Sequence, residues 1–314
     1  MATVTATDVD IAYRVEGSGE PVLLIAGTGY PGTTWHPDFV SALARDFAVV
    51  TFDHRGTGSS TAGVGPYTTR QLAQDALAVL SDVGGCGHVV GHSMGGRVAQ
   101  WLAVQSPESV ASLVVASSGP GAAGPADPTQ VGIPVPTVLG LLEHGYSGQI
   151  AAVQRRSFFT DAYAETHSAM VEWLHAAFWA GHPPIDEYLK HVQARQAHDA
   201  RAEAATISCP TLVVVGDLDR HRGATGSHYD QALELHRLIP RSEFVVLPGL
   251  RHGIFWQGID ESVALLRSWF GRSAPPHSET AHRVGMQDTE SKIVDTTAGA
   301  AGDLPHPHAA HEAG

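Results

Sequence analysis

Ser93, His252 and a pair of aspartates are the residues of this chain whose types could share one chemistry. Ser93 lies in Val89-Val90-Gly91-His92-Ser93-Met94-Gly95-Gly96-Arg97, and His252 in Pro248-Gly249-Leu250-Arg251-His252-Gly253. Asp217 and Asp219 lie in Gly216-Asp217-Leu218-Asp219-Arg220. A serine hydroxyl is a poor nucleophile near neutral pH and needs a base in contact. Histidine suits, because its ordinary pKa is close to the working range. A carboxylate on the other imidazole nitrogen fixes the tautomer and stabilises the imidazolium. The chemistry within reach is attack on a carbonyl carbon. The oxyanion that develops needs two aimed N–H donors, each worth on the order of 3 kcal/mol of barrier. The residues alone leave both Asp217 and Asp219 open as the carboxylate.

These groups need elements to position them. Gly91-His92-Ser93-Met94-Gly95 follows an apolar β-branched run and precedes a helical pattern through Val98, Ala99, Trp101, Leu102 and Val104. Gly-x-Ser-x-Gly between strand and helix is the pattern of a nucleophile elbow. The turn is tight enough to strain the serine backbone, and Gly91 and Gly95 lack the bulk that would block it. A helix beginning at Met94 aims unpaired N–H groups at the same spot, so the Met94 amide is one expected oxyanion donor. A serine in a glycine-rich turn that merely packs helix on strand is the plain alternative. The second donor is expected from Ala26-Gly27-Thr28-Gly29-Tyr30, the loop after Val22-Leu23-Leu24-Ile25. The Thr28 amide is preferred, with Gly29 and Tyr30 left open.

Dense apolar runs at 22–25, 47–52 and 211–215 read as central strands buried on both faces. Further strands are expected at 110–116 and 244–247, and an antiparallel edge pair at 3–6 and 11–15. Helices are expected at 35–44, 69–83, 231–238 and 259–270, the second capped by Thr68 or Thr69. Strands alternating with helices imply a mostly parallel sheet, and ligands bind beyond the carboxyl ends of such strands. The oxyanion loop, Ser93, the aspartates and His252 each follow a separate strand. Between 121 and 205 strand patterns vanish and helical segments follow one another, as in an inserted lid. The expected division is a core at 1–119 and 206–271, a helical cap at 120–205, and a tail at 272–314 whose Pro, Ala, Gly and His content reads as disorder.

From about residue 10 to residue 271 the chain resembles the α/β-hydrolase superfamily, in its serine-nucleophile, esterase- or lactonase-like branch with a helical cap. The resemblance rests on Gly91-His92-Ser93-Met94-Gly95-Gly96, on Asp53-His54-Arg55-Gly56-Thr57-Gly58-Ser59, and on the chain order serine, acid, histidine. It implies a mostly parallel eight-stranded sheet flanked by helices. It also implies that the acid is the third residue after Gly216, hence Asp219. The implied activity is cofactor-independent hydrolysis of a medium-sized, mainly apolar ester or lactone, through an acyl-enzyme on Ser93. C–C bond hydrolases, thioesterases, amidases and perhydrolases resemble the chain equally, and a non-hydrolytic cyclase or ligand receptor could keep the same residues. Serine at the elbow speaks against branches with an aspartate nucleophile. One departure is Ala26-Gly27, where the family commonly has His-Gly.

Composition bounds the partners. The 314 residues carry a formal net charge of −13, and lysine occurs only at 190 and 292. No basic stripe suggests nucleic acid. No apolar stretch approaches the ~20 residues that span a bilayer, and residues 1–10 lack a secretory pattern, so the expected setting is the cytoplasm and the expected partner a small molecule. Oligomeric state is not readable. Cys86 and Cys209 each precede a strand and are expected to be buried and unbridged. The 19 histidines invite a metal reading, which no ligand spacing supports. His92 is expected to pack, and His54 and His221 to be solvent or loop residues, with a place at the mouth as the alternative for either. Aromatic residues gather in the insertion. Most should form its own core, with Trp173, Phe178, Trp179 and the nearby Trp256 expected to face substrate. No cationic cluster marks an anionic substrate.

Overall fold

The computed structural model describes residues 1–273 apart from 123, 126, 221, 224 and 225, with 222 and 223 as backbone only. Its main sheet contains β1 (Ala2–Ala6), β2 (Val9–Glu16), β3 (Pro21–Ile25), β4 (Ala48–Phe52), β5 (Gly87–His92), β6 (Val110–Ala116), β7 (Thr211–Gly216) and β8 (Ser242–Leu247). The order is β1-β2-β4-β3-β5-β6-β7-β8. β1 and β2 pair antiparallel, as do β2 and β4. Every other pairing is parallel. Ile25 lies opposite Gly91, and Leu247 opposite Gly216. The loops after β3 and β5 therefore leave one edge of the sheet at one height, and those after β7 and β8 leave the same edge further along, since His92 is level with Val214 through Ala116 and β7 runs on to Gly216.

Alternation along each strand divides the core in two. Leu23, Val89, Val115 and Val213 meet α2 (Thr69–Asp82), α3 (Met94–Gln105) and α8 (His228–Leu238) on one face. Leu24, Val90, Val114 and Val214 meet α1 (Pro37–Leu43), α9 (Ile254–Gln257) and α10 (Ile259–Ser273) on the other. Both faces are covered, which is why these strands read as unbroken apolar runs. Thr68 caps α2 by accepting from the Gln71 amide at 3.0 Å, satisfying one orphan donor of the first turn.

Between β6 and β7 the chain forms α4 (Val135–Val153), α5 (Asp161–Thr166), α6 (Ser168–Ala180) and α7 (Ile185–Gln196). Gly145, at φ +68°, breaks α4. Phe159, Leu174, Phe178 and Val192 of this region are buried and continuous with the second core face.

Two expectations are corrected here. Cys86 is exposed, because it closes the surface turn through Gly84 and Gly85 (φ +139° and +81°) before β5 begins. Cys209 is buried, both thiols are free, and β6 separates their strands. α10 runs on to Ser273, past the expected end at 270. The tail expected to be disordered otherwise lies outside the described residues, as does His221. Among the described residues, no helix is long and apolar enough to cross a membrane.

Candidate active site

Ser93 joins β5 to α3 with φ +56° and ψ −118°, a backbone conformation that costs a non-glycine residue of order 1–3 kcal/mol. The surroundings enforce it. A Cβ placed on Gly91 would stand 2.2 Å from the Gly95 carbonyl oxygen, and one on Gly95 would stand 2.0 Å from that of Ile25. Only glycine fits at either place, so the strand, the turn and the helix close on one another with Ser93 at the apex. Ser93 is half-buried and lines a cavity of about 520 Å³ at the carboxyl edge of the sheet, together with Thr28, His228 and His252.

His252 is fixed through its backbone. Its amide donates to the Ser157 carbonyl at 3.0 Å, and the Gly253 amide to that of Phe158 at 2.9 Å. Its own carbonyl bonds the buried His92 Nε2 at 2.8 Å. His92 thus packs, as expected, and anchors the loop after β8. The His252 Nδ1 is 2.8 Å from Asp219 Oδ2. With Nδ1 donating to the carboxylate, Nε2 is the nitrogen left to accept a proton.

Asp219 is buried behind His252. Its amide donates to the Gly216 carbonyl and its carbonyl accepts from the Tyr229 amide, both at 3.1 Å. Its second oxygen, Oδ1, lies 3.1 Å from the Nδ1 of His228 at the start of α8. Burial alone would raise the Asp219 carboxyl; the charge and hydrogen bonds of His252 and His228 outweigh that and hold it well below the usual carboxylate range. Asp217 faces elsewhere and accepts from the Gly249 amide at 2.7 Å.

His228 is a site residue that the motifs of the sequence do not mark. A helix expected from residue 231 begins at His228, capped by Ser227, whose hydroxyl accepts from the Asp230 amide at 3.1 Å. The apolar periodicity begins three residues after the true helix start and so does not reach His228. The Ser-x-x-Asp spacing at 227–230 was the available signal. Ligand atoms of Asp219, His228 and His252 also fall within 4.8 Å of one another. That is the spread of a cation site, but both histidine Nδ1 atoms are already engaged with the carboxylate.

The structure brings Thr28 and Met94 to the same end of the sheet. Met94 is the first residue of α3, where an amide has no intrahelical acceptor. Thr28 lines the cavity, and its Oγ1 accepts from Arg195 Nη1 at 3.4 Å. The loop that lacks the family's histidine is held by another. His54 is fully buried, not in solvent or at the mouth, with its Nε2 3.0 Å from the Ala26 carbonyl oxygen. Burial pushes its pKa down to about 4.

The four aromatic residues expected to face substrate stand outside the cavity lining. Phe178 packs edge-on against Tyr30 with centroids 5.0 Å apart. Trp256 stacks on Trp35, touches Phe158 at 5.3 Å, and donates its indole N–H to the Thr34 carbonyl. Trp173 meets His36, and Trp179 meets Tyr146 and His182. Large rings at helical spacing here build the layer behind the cavity. Tyr30, Phe158 and Tyr188, with Ile150 and Val153, form its apolar wall instead. No cationic cluster is expected from the sequence, and two arginines, Arg156 and Arg195, line the cavity.

An eight-stranded sheet of this order, with a strained serine after the fifth strand and a histidine after the last, defines an α/β-hydrolase. The match to the Alpha/beta hydrolase family over residues 22–265 shows that the chain belongs to that family of enzymes. It is 31% identical over 213 residues to the "Putative carbamate hydrolase RutD" of Azorhizobium caulinodans, covering 68% of this chain and 78% of that one. It is 28% identical over 219 residues to 3-oxoadipate enol-lactonase 2 of Acinetobacter baylyi, covering 69% and 79%. The crystal structure of the enol-lactonase from Burkholderia xenovorans LB400 is similar in fold, with a TM-score of 0.73 at 24% identity over 86% of this chain and 100% of that one.

Proposed function

We propose that this hydrolase cleaves an ester or lactone of a small molecule through an acyl-enzyme on Ser93. One observation carries the reading: the strained Ser93 shares a cavity with His252, whose Nδ1 is 2.8 Å from the buried Asp219. In this reading Ser93 Oγ attacks the carbonyl carbon while His252 Nε2 takes its proton. The Met94 and Thr28 amides hold the oxyanion. The C–O bond to the leaving alcohol then breaks, and His252 returns the proton to that oxygen. Water attacks the acyl carbon with His252 as base, the Ser93 ester bond breaks, and acid and free serine result. Asp219 keeps His252 in the required tautomer, and His228 holds Asp219.

Residues 120–205 act as the cap in this account. They supply Ile150, Val153, Phe158 and Tyr188 to the cavity wall. A cavity of about 520 Å³ with an apolar wall suits a medium-sized substrate. Named relatives include an enol-lactonase and a methylesterase, which supports carboxylic ester chemistry. Hydrolysis of short p-nitrophenyl esters tests the reading. The wild type is expected to turn them over and Ser93→Ala to lose that activity; equal rates for the two proteins contradict it.

A further inference from the structure

The cavity wall contains two residues that are charged at neutral pH, Arg156 and Arg195, and no carboxylate among the described lining residues. This is unusual for a chain of net charge −13. Elsewhere the fold pairs its arginines with acids: Arg55 with Asp75 and Asp8, Arg201 with Asp199, Arg251 with Asp161, Arg267 with Asp46. Among the described residues no carboxylate lies within ion-pair distance of Arg195. Its hydrogen-bonded side-chain partner there is Thr28 Oγ1, at 3.4 Å, with the Tyr188 phenol near enough to act on it electrostatically. Arg195 stands in the last turn of α7, where the helix dipole favours a cation. That accounts for a positive residue at the helix end but not for one placed against Thr28 in the cavity.

A second guanidinium lies behind the first. Arg97, nearly fully buried, donates to the Arg195 carbonyl oxygen and, at 3.0 Å, to Gln231 Oε1. Burial and the nearby Arg195 push its pKa down to about 9. Arg195 is therefore held by its backbone, and of its planar fork of donors only Nη1 has a hydrogen-bond acceptor, Thr28, among the described residues.

We propose that Arg195 binds a carboxylate on the substrate, so that the ester or lactone cleaved is an acidic one. The proposal rests on the serine-hydrolase reading above and narrows it. Thr28 also borders the proposed oxyanion position, so the carboxylate sits a few bonds from the reacting carbonyl. A short dicarboxylic half-ester has that shape.

Methyl hydrogen glutarate and methyl valerate are matched in length and differ in charge, and a pH-stat follows hydrolysis of both. The wild type is expected to favour the anionic ester in kcat/KM. Arg195→Gln should lower the ratio of anionic to neutral kcat/KM by about 10- to 100-fold, the range of a charge-assisted hydrogen bond. Arg195→Lys should keep most of the ratio and so excludes a folding defect. An unchanged ratio in Arg195→Gln, or an equal fall on both esters, overturns the proposal. If the wild type hydrolyses neither ester, p-nitrophenyl ester turnover decides the serine-hydrolase reading and binding decides this proposal alone. Calorimetry of methyl hydrogen glutarate on Ser93→Ala should then show binding that Ser93→Ala/Arg195→Gln weakens by a similar factor. No binding, or equal binding to both proteins, overturns it.

Discussion

The rings of His252 and His228 lie 4.2 Å apart, centroid to centroid, and both direct Nδ1 to the carboxylate of Asp219. One acid thus holds two histidines, one lining the cavity with Ser93 and one at the foot of α8. His228→Phe leaves Asp219 Oδ1 buried without that partner, which costs about 1–3 kcal/mol in general. The expected result is a kcat roughly tenfold lower, with His228→Gln recovering part of it through its amide donor. Steady-state kinetics on one p-nitrophenyl ester measures this. A wild-type kcat in His228→Phe would show that Asp219 needs no second partner.

Asp219 and Asp217 are two residues apart and differ in what they hold. Asp219 orients an imidazole, whereas Asp217 ties the β7 loop to the Gly249 amide. Asp219→Asn should lower kcat on the order of 10³- to 10⁴-fold, as loss of the required tautomer does in serine hydrolases. Asp217→Asn should cost less than about tenfold, because its bond is to the Gly249 amide and not to the imidazole of His252. A larger loss at Asp217 would transfer the role to it.

Much of this arrangement is legible in the chain before any coordinates. Apolar runs such as Val22–Ile25 mark strands covered on both faces, and the glycines around Ser93 mark a turn that admits no side chain. The positions of Ser93, Asp219 and His252 after three separate strands follow from those patterns. His228 does not, because its place depends on a helix start three residues earlier than the apolar periodicity suggests. Trp173, Phe178, Trp179 and Trp256 mislead for a related reason. Phe178 and Trp256 are buried and Trp173 and Trp179 half-buried, but which layer each ring enters depends on how the helices of the insertion and the loop after β8 sit on the core. Arg195 is equally hidden, since a basic residue in the last turn of a helix is the ordinary case.

Arg55 and Asp75 form a fully buried, bidentate pair with both bonds at 2.7 Å, supported by Asp8 at 3.2 Å. Removing one charge from a buried pair typically costs about 3–5 kcal/mol, because the other is left uncompensated. Asp75→Asn is expected to lower Tm by roughly 10 °C, toward the smaller end where Asp8 compensates. Calorimetric scanning measures it, and an unchanged Tm would contradict the pairing.

His54 and His191 pack 5.7 Å apart, centroid to centroid, and are both buried. Burial pushes their pKa values down to about 4 and about 3. The unfolded chain takes up these protons as pH falls below about 6.5, while the folded protein does not until near its lower values. Their neutral packing therefore contributes fully above about pH 6.5 and is lost as pH falls toward 4, at roughly 1.4 kcal/mol per pH unit for each histidine. Urea unfolding at pH 7.5, 6.0 and 5.0 should show this fall, with a shallower slope in His191→Gln. Stability independent of pH over that range would contradict it.

Ser93 as the nucleophile has a direct chemical test. Intact-protein mass spectrometry after incubation with a fluorophosphonate tests it most directly. The expected result is one phosphonyl adduct per chain, mapped to the peptide that contains Ser93 and absent from Ser93→Ala. An unmodified wild type, or an adduct on another residue that survives in Ser93→Ala, would contradict the account.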